Sequence, residues 1–116
     1  MSASLAIRER AADGITILDL EGRITIGSGS EALNSKLEEL IRNGQRRILL
    51  NLTHVTQIDS SGIKVVVRNF VSLQKQNGAL KLLNPTKHVH EVLTITNLLK
   101  VIESFPEEKA GLESFA

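Results

Sequence analysis

Cysteine is absent from this chain. That excludes disulfides, thiolate zinc sites and cysteine nucleophiles, agrees with a reducing compartment, and leaves stability to packing. Tryptophan and tyrosine are absent too, and Phe70, Phe105 and Phe115 are the whole aromatic complement. Bases would find no stacking platform. Nor does charge of one sign prevail: 14 Lys and Arg against 13 Asp and Glu give a formal net charge of +1, scattered along the chain. Direct nucleic-acid binding, which needs many phosphate contacts at once, is therefore not expected. No apolar run approaches the ~20 residues of a transmembrane helix. Met1-Ser2-Ala3-Ser4-Leu5 has no basic segment followed by an apolar one, so we expect no secretory signal, no membrane insertion and a cytoplasmic protein.

What is present suits a globular protein. The 116 residues, 41% apolar and 23% charged, are one domain's worth, and a single domain over 1–116 is expected. Residues Leu5 to Arg10 alternate, Asp13-Gly14 follows, and Ile15 to Leu20 alternates again, which predicts an opening hairpin. Gly22 should end the second strand, with Arg23 to Ile26 as a short extension. Ser28 and Glu31 stand at capping-box spacing before a helix carrying Leu33, Leu37, Leu40 and Ile41 on one face, closed by a left-handed Gly44. Arg47 to Leu52 reads as an interior strand, with Thr53 to Gln57 as a link.

A second helix follows Ile58, with Ile63, Val66, Val67 and Phe70 inward and its end at Asn77-Gly78. Ala79 to Asn84 predicts another interior strand, stopped by Pro85. Thr86 should cap a third helix with Val89, Val92, Leu93 and Thr96 inward, ending near Asn97. Val101 to Glu103 predicts a last short strand, and Ser104, Pro106 and Glu107 the start of a final helix through Ala110 and Leu112. The class is α/β: a mixed sheet of four or five strands, opening with a hairpin and flanked by about four helices.

The candidate site is Ile58-Asp59-Ser60-Ser61-Gly62-Ile63, where a strand pattern hands over to a helix pattern. Two hydroxyls and a carboxylate fall where helix-initial N–H groups point outward; in isolation the tetrapeptide reads as an ordinary N-cap at Asp59 or Ser60, and its setting between strand and helix is what points further. Beyond it, Ser61, Lys64, Arg68, Ser72 and Lys75 recur at spacings of three and four, a stripe of hydroxyls and cations with no carboxylate. Ser61-Gly62-Ile63-Lys64 also matches the S-x-x-K of serine hydrolases, but no S-D-N or K-T-G follows. Gly27-Ser28-Gly29 completes no phosphate-binding loop. His88 and His90, two apart, point to different sides of a helix, and no metal site or cofactor is expected. His54 could border the 58–63 stretch.

D-S-S-G in this strand-helix order resembles the STAS domain over essentially the entire chain. In stand-alone members the resemblance makes Ser61 the phosphoacceptor of an anti-sigma factor that is also a serine kinase. Asp59, Ser60 and Gly62 match the motif around it, with Lys64 and Arg68 on the adjoining face as further partner contacts, and Gly62 open to the partner's backbone. The implied function is that of an anti-sigma factor antagonist: the unphosphorylated form binds the anti-sigma factor and frees a sigma factor. Phosphorylation ends binding, and a metal-dependent serine phosphatase reverses it. Such a protein is no enzyme. Two alternatives stand beside this reading, a STAS scaffold subunit of another signalling or transport assembly without phosphorylation, and a small hydrolase using Ser61. One departure is visible: where many members carry an aspartate, as in G-x-L-D, Gly22-Arg23-Ile24-Thr25 places an uncharged Thr25.

Overall fold

Asp13 and Gly14 both have positive φ, 55° and 78°, the two-residue turn whose twist matches that of paired strands. It closes an antiparallel hairpin of β1 (Leu5–Ala12) and β2 (Ile15–Ile24), with Ala12 opposite Ile15 and Leu5 opposite Gly22. The computed structural model describes residues 4–116. From β2 onward every strand pairs in parallel: β3 (Arg47–Ile58), β4 (Ala79–Leu83) and β5 (Ser104–Phe105) give the order β1-β2-β3-β4-β5. Parallel neighbours need crossovers of one hand. The three crossovers carry α1 (Ser28–Arg42), α2 (Ser60–Lys75) and α3 (Lys87–Ile95), the last followed by a 3₁₀ turn at Leu98–Lys100.

Strand alternation sorts the side chains onto two faces. Leu18, Leu20, Ile48, Leu50, Leu80 and Leu82 form the main core with Leu33 and Leu37 of α1, Val65, Val66 and Leu73 of α2, and Val89 and Leu93 of α3. On the other face Ile15, Ile17, Leu49 and Leu83 lie under Leu112 and Phe115, from α4 (Glu108–Glu113) and the chain end. Polar contacts fasten this edge. Arg10 donates to Asp19 at 2.7 and 3.1 Å and to Glu108 of α4, and its guanidinium holds both carboxyls below their usual range. Lys81 Nζ reaches the Ser114 carbonyl at 2.9 Å and lies 4.8 Å from the Phe115 ring centroid.

The structure differs from the sequence reading at several element ends. β3 runs unbroken to Ile58, so Thr53 to Gln57 is strand and not link. Its second half pairs with the end of β2, Glu21 with His54 and Ile24 with Ile58, across two register shifts. Those irregularities break the period-2 pattern that would have shown the strand. β2 likewise passes through Gly22 to Ile24.

Gly27, not Ser28, is the N-cap of α1. Its φ of 95° and ψ of −136° suit glycine alone, and Ser28 becomes the first helical residue, its Oγ 2.7 Å from Ser4 Oγ. Gly44 does close α1, at φ 94°. α2 ends at Lys75, just before the expected Asn77-Gly78, and Asn77, at φ 62°, takes the left-handed position that follows.

Thr86 holds the N-cap position of α3 without capping it; its hydroxyl donates to the Val55 carbonyl at 2.8 Å. Thr96 is exposed, and Asn97, at φ 60°, follows the helix. The last strand is Ser104–Phe105 in place of 101–103, because the end of β4 selects the pairing: Leu82 lies opposite Ser104 and Leu83 opposite Phe105. Ser104 is therefore no cap, and Glu107 precedes α4 without a side-chain cap bond.

Candidate functional site

The parallel pairing of Ile24 with Ile58 brings the ends of β2 and β3 side by side. The loop Thr25-Ile26-Gly27 and the start of α2 therefore meet, although more than 30 residues separate them. Asp59 is the N-cap of α2, with extended backbone (φ −118°, ψ −172°). Its Oδ1 accepts from the backbone N–H of Ser61 at 2.9 Å and of Gly62 at 3.1 Å, and its Oδ2 from that of Ile26 at 2.9 Å. One carboxylate thus satisfies two orphan helix donors and ties down the neighbouring loop. The Ile26 hydrogen bond is the largest cause, with those of Gly62 and Ser61 behind it, holding the Asp59 carboxyl below its ordinary range.

Asp59→Ala should therefore cost about 1–2 kcal/mol, a lost cap plus an unpaired loop N–H. Urea unfolding checks this. Because the folded-state pKa is depressed, the contribution of the charged carboxylate is present above the unfolded-state pKa and lost as pH falls through the lower folded value. The gap between wild type and Asp59→Asn should accordingly narrow below about pH 4.

Past the cap, Ser60 is exposed and Ser61 partly so. Lys64 and Arg68 follow on the same side of α2, both exposed, and neither makes an ion pair among the described residues. The hydroxyl-and-cation stripe is thus a solvent face, with Ser61 at the positive end of the helix dipole. The buried face consists of Gly62, Val65, Val66, Asn69 and Leu73. The expected inward residues Ile63, Val67 and Phe70 are only partly buried beside it. Asn69 escaped sequence reasoning because an amide in a helix reads as surface; it is paid for by bonds to Asn34 Oδ1 at 3.1 Å and the Val65 carbonyl at 2.8 Å.

Gly62 is buried against its own domain. A Cβ there would sit 2.3 Å from the Ile24 carbonyl oxygen, so the close approach it permits is between α2 and β2, not that of a partner's backbone. His54 lies elsewhere. It lines a polar depression of about 580 Å³ with Arg8, Arg10, Asp19, Glu21 and Asn51, on the face that carries α4. His88 and His90 are exposed, and no group of three or more His, Asp or Glu among the described residues is placed to hold a metal. Among those residues, too, no helix is long and apolar enough to cross a membrane.

Chemically, the site presents a hydroxyl and does not activate it. Among the described residues the Asp59 carboxylate accepts only from backbone N–H groups, and a carboxyl held below its usual range is a poor proton acceptor. No imidazole or carboxylate hydrogen-bonds Ser61 Oγ among the described residues.

Known proteins resemble this chain along most of its length. The anti-sigma-B factor antagonist of Bacillus subtilis is 29% identical over 96 residues, 83% of this chain and 86% of that protein. An anti-sigma factor antagonist from Mycobacterium paratuberculosis superposes with a TM-score of 0.88 at 16% identity, covering 99% of this chain and 97% of the other. SpoIIAA, an anti-sigma factor antagonist, superposes in its unphosphorylated form with a TM-score of 0.76 at 24% identity, over 90% and 92%. At those identities the structural likenesses speak for the fold alone. The sequence model of the STAS domain matches residues 6–111, from the first strand to the last helix, and the chain belongs to that family.

Proposed function

We propose that this protein is an anti-sigma factor antagonist whose binding is switched by phosphorylation of Ser61. The observation that carries the reading is the partly exposed Ser61, with no base beside it among the described residues, at the capped start of α2 and at the head of a stripe whose cations Lys64, Arg68 and Lys75 make no ion pair among those residues. A phosphate there meets the favourable end of the helix and Lys64 one turn on. Relatives that match along most of the chain bear the name anti-sigma factor antagonist. SpoIIAA is known in an unphosphorylated and a phosphorylated form, which resemble this chain nearly equally, with TM-scores of 0.76 and 0.74. Both forms share the fold of this chain.

In this reading the unphosphorylated protein, a single cytoplasmic STAS domain, occupies an anti-sigma factor and frees the sigma factor. Asp59, Ser60, Lys64 and Arg68 border the contact, while Gly62 supports it from beneath. The anti-sigma factor is a serine kinase that modifies Ser61, and a metal-dependent serine phosphatase restores it. The domain itself performs no chemistry. Incubation with ATP and the purified anti-sigma factor kinase encoded in the same genome should add one phosphate by intact mass to wild type and none to Ser61→Ala. No added mass on wild type would contradict the switch and favour a scaffold role for the domain.

A further inference from the structure

Ile26 is the most exposed of the large apolar side chains among the described residues, at 80%. A lone exposed isoleucine is ordinary; the way this one is held is not. The β2–α1 connection is three residues long. Its Thr25 carbonyl accepts from Ser30 N–H at 2.9 Å and its Gly27 carbonyl from Glu31 N–H at 3.1 Å, while the N–H of Ile26 itself donates to Asp59 Oδ2 at 2.9 Å. The other oxygen of that carboxylate holds the N–H of Ser61. A rigid, uncharged loop therefore presents an apolar side chain from the same group that fixes the start of α2.

We infer that Ile26 is the apolar anchor of the partner-binding surface, inserting into a hydrophobic pocket that the anti-sigma factor presents next to its contact with Ser61. This rests on the reading of the protein as an anti-sigma factor antagonist. Interfaces draw most of their energy from a few large side chains that become fully desolvated, ringed by polar groups. Ile26 supplies the apolar part, tied through Asp59 to the polar start of α2. A loop already held by three hydrogen bonds gives up little conformational freedom on binding. Partner choice then depends on the fit of one branched side chain as well as on charge.

The test is calorimetric titration of the unphosphorylated protein with the purified anti-sigma factor kinase encoded in the same genome. Ile26→Ala should weaken binding about tenfold or more, and Ile26→Val only a few-fold, as befits one lost methylene. Ile95→Ala, which removes a side chain of equal exposure (79%) near the far end of α3, should leave affinity unchanged. All three variants should melt with wild type. If wild type binds and Ile26→Ala binds within about twofold of it, the anchor is overturned while the antagonist reading stands. If wild type fails to bind, the antagonist reading falls and the anchor with it. Should Ile26→Ala alter only self-association of the free chain in sedimentation, Ile26 faces a second copy and the proposal is wrong.

Discussion

Gly62→Ala is expected to destabilise the fold by about 2–3 kcal/mol, the upper part of the usual range for overpacking, because the atoms it meets cannot yield. Helix propensity alone predicts the opposite sign, since alanine is favoured over glycine by about 1 kcal/mol inside a helix. Sterics should win because of what the new Cβ would meet. It would lie 2.3 Å from the Ile24 carbonyl oxygen, 2.8 Å from Ile58 Cγ1 and 2.9 Å from Ile24 Cγ2. The nearest of these is backbone of β2, held between β1 and β3. α2 must lift instead, and in lifting it stretches the bonds from Ser61 and Gly62 to Asp59. A urea midpoint well below wild type, with unchanged slope, is the expected result. A midpoint at or above wild type would mean that the α2–β2 contact is looser than described.

Ser61→Asp should lose most of its affinity for the anti-sigma factor while its melting temperature stays within a few degrees of wild type. Ser61→Ala should bind regardless of ATP. A partner surface fitted to a small hydroxyl and paired with Lys64 or Arg68 would face, after phosphorylation, about −1.5 to −2 charges competing for the same cations and resisting desolvation. That can cost several kcal/mol of binding. The fold has no comparable reason to object, because Ser61 lies on the solvent side of α2 and the helix end favours negative charge. Release then requires no rearrangement of the domain. Paired titrations and thermal scans of the two variants check both halves. A large fall in the melting temperature of Ser61→Asp would replace the electrostatic account with local unfolding.

The parts of this fold that could be read in advance are those whose cause is local. Asp13-Gly14 predicts its hairpin because two adjacent residues tolerate the φ values the turn demands. D-S-S-G predicts a capped helix start because Asp59 and the N–H groups it accepts from lie within three residues. Leu33, Leu37 and Leu40 predict their helix face by spacing alone.

What could not be read depends on residues far apart in the chain. β3 continues through Thr53 to Gln57 because β2 supplies a partner across two shifts of register, and no window of either strand contains that fact. Ser104–Phe105 becomes the last strand, although Val101 and Ile102 are more strand-like, because β4 ends at Leu83. Asn69 looks like a surface residue until Asn34, 35 positions earlier, is placed beside it. At the site itself, the bond from Ile26 to Asp59 spans 33 residues. Thr25 departs from the family aspartate in full view of the sequence, yet nothing local shows that its neighbour's backbone is fastened to the cap of α2.

A phosphate on Ser61 should abolish partner binding without disturbing the fold. The most direct test is calorimetric titration of the anti-sigma factor with stoichiometrically phosphorylated protein and with the same preparation after phosphatase treatment. Tight binding is expected of the dephosphorylated sample and at least a hundredfold weaker binding of the phosphorylated one, about 2.7 kcal/mol or more. Equal affinity in the two states would contradict it, leaving D-S-S-G as the capped start of a helix in a scaffold.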